Sequence, residues 1–230
     1  MQTRPLPYEG VPTLADCFVA TEDLPDNCID LVLTDPPYGV NYVSGRRKES
    51  FGAIANDGPA LDWLPAWAAS TARVAKSAAH WYVFCSWHNL QAFKAAIGAV
   101  APIKNLLVWE KNVWGMGDLA GDYAPQYELI LFVSSGDRKL NGRRDSNILR
   151  SKRIPGPELV HPTQKPRDLL TFLIQKSTAP GEVVFDPFAG SFSTARAAAD
   201  VGRRFIAFEK ERKHYLSGVE LLKSRSPRLF

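Results

Sequence analysis

The sequence predicts an α/β fold with a mostly parallel, seven-stranded sheet and helices on both faces. Three observations predict it. Apolar, β-branched runs alternate with segments of helical periodicity, as in a parallel sheet covered on both sides. One such run, LVLT (Leu31–Thr34), ends in the rigid polar exit DPPYG, and open parallel sheets place their ligands at strand carboxyl ends. Glu182–Glu209 reads as a complete strand–turn–helix–strand unit with an acid at the end of each strand.

In chain order, Val11–Leu14 and Ile29–Leu33 are short apolar runs and read as strands. Leu61–Val74 is helical in pattern, and His80–Phe84 is the next strand. Asn89–Ala99 is a helix, followed by strands at Asn105–Trp109 and Leu129–Val133. Pro166–Thr178 is a helix entered through a proline, which suits the first helical position. Glu182–Phe185 is a strand. Phe192–Val201 is alanine-rich and stops at Gly202, a usual helix terminus. Phe205–Phe208 is the last strand. Val43–Pro59 and Ser134–Val160 follow neither period, and segments of that length in a compact domain are commonly functional.

The 230 residues, 45% hydrophobic and 23% charged, suit one globular domain spanning 1–230. No apolar run reaches membrane-spanning length, and MQTRPLPYEG lacks the apolar stretch of a secretory signal. The three cysteines (Cys17, Cys28, Cys85) form no C-x-x-C pair, and the four histidines show no ligand spacing. A reducing, cytoplasmic compartment without metal or disulfide is expected. Between Arg138 and Arg153 lie seven basic residues and one acid, a surplus of six in a chain whose net charge is +4. A solvated loop is the plain reading of this window; contact with a polyanion is the sharper one.

The DPPY loop suits methylation of an amino group whose lone pair is delocalised, as on adenine. Asp35 can accept one amino hydrogen and the Pro36 carbonyl the other, which localises the lone pair and aims it at an electrophile. Pro36 and Pro37 fix φ and remove backbone donors. Tyr38 offers a face for a base drawn out of a duplex. The Glu182–Glu209 unit lacks both the phosphate-loop and the dinucleotide glycine patterns. It therefore suits a cofactor with a ribose and no phosphate, such as S-adenosylmethionine, with Glu209 on the ribose.

With these motifs in this order, the chain resembles the DNA amino-methyltransferases of the permuted β group, in which DPPY precedes the cofactor motif. The resemblance covers most of the chain. It rests on LADCF (Leu14–Phe18), TDPPYG, Trp109-x-Lys111, YELILF (Tyr127–Phe132), HPTQKP (His161–Pro166) and DPFAGS (Asp186–Ser191). It implies a Rossmann-like fold dependent on S-adenosylmethionine, with Asp16, Cys17 and Phe18 at the cofactor adenine. Thr163 and Lys165 would lie near its methionine end, with Asp35 beside them and Asp186 towards the amino group. Phe188, Gly190, Ser191 and Thr194 would complete the loop. Aspartate at the head of DPPY points to adenine N6, where serine is more typical of cytosine N4. The resemblance also implies base flipping in double-stranded DNA, a place in restriction–modification, and a cytoplasmic enzyme of bacterial or bacteriophage origin. Dimers are frequent in the group, so a homodimer is an expected assembly.

Two departures stand out. Phe192 replaces the usual glycine after DPFAGS; we expect it to start the helix in ordinary geometry with Ser191 as cap. From the length we also expect no separate recognition domain of about a hundred residues. Target reading then falls to the inserted basic segment 134–160, helped by Val43–Pro59, with Arg143, Arg144, Arg150 and Arg153, and Arg46, Arg47 and Lys48, as the DNA-contacting cations. Three other readings remain: N4-cytosine methylation, a catalytically silent DNA-binding relative, and methylation of RNA or a protein glutamine.

Overall fold

The computed structural model describes residues 5–38, 61–115, 120–134, 136–155 and 164–225. The Val43–Pro59 segment with Arg46, Arg47 and Lys48, and the His161–Thr163 part of HPTQKP, lie outside the described residues.

The elements run β1 (Pro12–Leu14), α1 (Cys17–Ala20), β2 (Ile29–Thr34), α2 (Leu64–Val74), β3 (Ala75–Cys85), α3 (Leu90–Gly98), β4 (Ile103–Glu110), β5 (Tyr127–Ser134), β6 (Ile148–Arg150), α4 (Arg167–Ser177), β7 (Val183–Asp186), α5 (Ser193–Asp200), β8 (Arg204–Glu209) and α6 (Arg212–Arg225). The described strands form one sheet ordered β1-β8-β7-β2-β3-β5-β4-β6. Every neighbouring pair is parallel except those made by β5, which runs antiparallel to both β3 and β4.

All seven expected strands are present, and an eighth, β6, joins the edge. It falls inside the basic segment that lacked strand periodicity. Its three residues pair with Val108–Glu110, and only Leu149 turns inward, so there is too little alternation to see in the sequence. Helix α6 also escaped the pattern: charges at Arg212, Lys213, Glu220 and Lys223 dilute a sparse apolar stripe.

Alternation within the strands builds two cores. Trp81, Val83 and Cys85 of β3 and Leu129, Leu131 and Val133 of β5 pack with α2 and α3 on one face. Tyr82 and Phe84, with Ile130 and Phe132, pack with α4 and α5 on the other. Parallel β2 and β7 lie side by side in register, Leu31 opposite Val184 and Val32 opposite Phe185. Their carboxyl ends, which carry DPPY and DPFAG, therefore emerge together.

Candidate active site

The two motifs touch through Thr34, whose hydroxyl donates to Asp186 Oδ1 at 2.8 Å. Asp35 and Pro37 form one side of a cleft opposite Asp186, Phe188, Gly190, Ser191 and Thr194. Asp16, Cys17 and Phe18 line the same cleft, as do Lys165 and Glu209. The space between these walls, open solvent included, is about 830 Å³. Pro36 is buried and Tyr38 half-buried, and neither lines this cleft.

The turn after β7 is built to present carboxylates. Asp186 is only 4% exposed, and burial pushes its carboxyl up to about 6 against the pull of the Thr194 and Thr34 hydroxyls and the Phe188 N–H. Among the described residues no cation pairs with it. Glu209 accepts from Gly190 N–H at 2.8 Å and Glu211 N–H at 2.7 Å, which clamps the loop to the end of β8. Asp16 caps α1 through the Phe18 N–H and pairs with Lys210 at 2.9 Å. The α6 residue His214, unforeseen in the sequence, adds to the cleft wall.

Phe192 departs from expectation. It does not begin α5 in right-handed geometry under a Ser191 cap. It is itself the residue before the helix, at φ 56° and ψ 28°, and no side chain caps α5. Ser191 instead bonds the Ser193 hydroxyl at 2.8 Å. The left-handed backbone costs a bulky residue about 1–2 kcal/mol. Complete burial of the phenyl ring, edge-on to Tyr215 at 5.9 Å, is worth about 1.5–3 kcal/mol and offsets that cost. Gly218 of α6 makes the space: a Cβ there would stand 2.7 Å from the Phe192 ring and 3.1 Å from the Gly190 carbonyl.

On the DPPY side, the sequence pointed to Asp35 and Lys165 but missed how they are held. Lys165 pairs with Asp35 and lies 3.2 Å from Glu128, which pairs in turn with Lys111 at 2.8 Å. The Tyr38 hydroxyl donates to Asp35 and stands 3.4 Å from Glu128. The Asn89 amide donates to the Tyr38 carbonyl. Burial raises Asp35 above the usual carboxylate range, with Lys165 opposing it. Burial acts the same way on Glu128, but Lys165 and Lys111 outweigh it and hold that carboxyl low. Lys165 is raised, since Asp35 and Glu128 overcome its own desolvation. The available signal was an acid at the head of the otherwise apolar strand YELILF.

The basic window divides between the two ends of the sheet. Arg138 bonds the Asp30 carbonyl and Glu182, both at strand beginnings. Lys176, in the last turn of α4, holds the carbonyls of Asn141 and Arg143, each at 2.6 Å. The rise along α4 puts that end about 16 Å from Lys165. Arg143 and Arg144 thus sit at the base of the sheet. Arg150 closes β6 beside Glu110, at 2.8 Å, and the Arg153 N–H bonds Asn112 at 2.9 Å. Those two stand at the catalytic edge.

A sheet whose neighbouring strand ends carry DPPY and DPFAGS around one cleft is the architecture of an amino-methyltransferase. Residues 29–220 match the N6/N4 DNA methylase family, and the chain belongs to it. It is 26% identical to the DNA adenine methyltransferase YhdJ of Escherichia coli (strain K12), over 90% of this chain and 80% of YhdJ. In fold it is similar to the M1.HpyAVI–SAM complex (TM-score 0.69, 22% identity, 92% of this chain and 98% of that one). It is likewise similar to the cytosine-N4-specific PvuII DNA methyltransferase (TM-score 0.73, 19% identity, 91% and 84%).

Proposed function

We propose that the protein transfers a methyl group from S-adenosylmethionine to N6 of an adenine flipped out of double-stranded DNA. The observation that carries this reading is the shared cleft: Asp35 faces the same space as Asp186 and Glu209. Aspartate at the head of DPPY, and the similarity to YhdJ, favour adenine over cytosine.

The residues present fit the cofactor. Asp186, buried and with no cation paired to it among the described residues, suits its amino group. Glu209, oriented by two backbone N–H groups, suits the ribose hydroxyls, and Asp16 with Phe18 suits the adenine. The cofactor supplies an electrophilic methyl group. Across the cleft Asp35 and the Pro36 carbonyl accept the two amino hydrogens of the target base, so charge developing on nitrogen meets a carboxylate. Lys165 holds that carboxylate in place. The Tyr38 ring, 5.9 Å from the Lys165 ammonium, backs the site where the base stacks.

Incubation with labelled cofactor and unmethylated bacterial DNA, then nucleoside mass spectrometry, tests the assignment. N6-methyladenine, abolished in Asp35→Ala, is expected. N4-methylcytosine would overturn the choice of base, and no product with intact cofactor binding would favour a silent relative.

A further inference from the structure

The exposed aromatic residues are not scattered. Trp114 is 69% exposed, Tyr123 94%, Trp87 60% and Tyr127 44%, and all four gather at the catalytic edge of the sheet. Trp87 follows the end of β3, Tyr127 begins β5 opposite Glu110, and Trp114 and Tyr123 lie between β4 and β5. The described part of that connection is a hairpin running beyond the sheet. Lys111 N–H bonds the Gln126 carbonyl at 2.8 Å, and Gly115 N–H bonds the Pro125 carbonyl at 2.7 Å. A Cβ on Gly115 would stand 3.2 Å from Pro125, so the arms are pressed together. Trp114 and Tyr123 are carried outward on opposite arms.

Such exposure of large rings normally marks a contact surface. Two neighbours indicate for what. The same hairpin root carries Lys111 and Glu128, which hold the Asp35 network, so the rings flank the position of the target base. Arg150 and Arg153 stand on the next strand exit, exposed and at the same edge. Flat apolar faces beside arginines match bases beside phosphates.

We infer that the β4–β5 hairpin is a base-contacting wedge, with Trp114 and Tyr123 stacking on DNA bases next to the extruded adenine while Arg150 and Arg153 hold the backbone. This rests on the reading of the protein as a DNA methyltransferase that flips its base. Unstacking a duplex is costly, and aromatic side chains at the gap offset the loss.

The test measures affinity for dye-labelled fragments of unmethylated bacterial DNA across a salt series, with S-adenosylmethionine affinity by calorimetry alongside. Trp114→Ala and Tyr123→Ala should each weaken DNA binding about tenfold. The salt slope and the cofactor affinity should not change, because neither ring carries charge. Trp114→Phe should recover most of the loss. Unchanged DNA affinity in both alanine variants would overturn the wedge, and so would a parallel loss of cofactor binding. The series needs no turnover. A wild-type protein that binds DNA through these rings yet makes no methylated base would sink the proposed reaction and leave the wedge standing.

Discussion

Lys165 is buried against Asp35, a residue 130 positions earlier in the chain. The pair joins the approach to α4 with the end of β2, and Glu128 and Lys111 complete a set of two carboxylates and two ammonium groups. Lys165 is only 7% exposed. Charges so enclosed are tolerable together and costly apart.

Lys165→Met should therefore abolish methylation and lower folding stability by about 3–5 kcal/mol, since two carboxylates lose their shared cation. Adding Glu128→Gln to that variant should restore part of the stability, because one stranded charge is removed, while activity stays lost. Urea unfolding checks both. Equal stability of the single and double variants would mean Glu128 does not share the cation.

Cofactor affinity should depend on Asp186. Its carboxyl titrates near 6 in the folded protein rather than at the ordinary 3.8, so it holds a proton in mild acid. A cationic amino group needs the ionised form. Affinity should strengthen as pH rises through about 6, then level off. The sign for stability without ligand is the reverse: this group's contribution is greatest below 3.8, falls as pH rises to about 6, and is level above. Calorimetry across this range, with Asp186→Asn as the pH-insensitive comparison, checks the first statement.

Phe192 and Gly218 should be coupled. Phe192→Gly removes backbone strain but leaves a cavity, for a net loss of about 2–4 kcal/mol. Gly218→Ala drives a methyl into the ring and the cofactor loop, so it should destabilise the fold and weaken S-adenosylmethionine binding. In the double variant the ring no longer obstructs the methyl, and the losses should sum to less than the two singles. Additive losses in thermal unfolding would show that α6 and the loop do not meet through these residues.

The divided basic window gives a contrast in salt dependence. Neutralising Arg150 and Arg153 together should reduce the slope of log affinity against log salt by about 2. Neutralising Arg143 and Arg144, at the opposite end of the sheet, should leave it unchanged. A DNA-binding salt series on the two double variants checks this.

Much of the fold was legible because burial leaves a local trace. Apolar β-branched runs marked seven of the eight described strands, and Gly202 marked the end of α5. DPPY, HPTQKP and DPFAGS were recognisable because their chemistry is written in contiguous residues. β6 and α6 were not, since a strand with a single buried side chain inside a basic segment and a charge-rich helix impose no readable period.

What the sequence determined by itself was most of the elements and the two carboxylate motifs at strand ends. The tertiary structure alone decided three things: that Glu128 and Lys111 stand behind Asp35, that one run of arginines serves two ends of the sheet, and that Phe192 adopts a left-handed turn. The physical reason is common to all three. Each depends on strand order, on register, or on the space left by a glycine 26 positions away, and such contacts between distant segments have no signature in the periodicity of either segment.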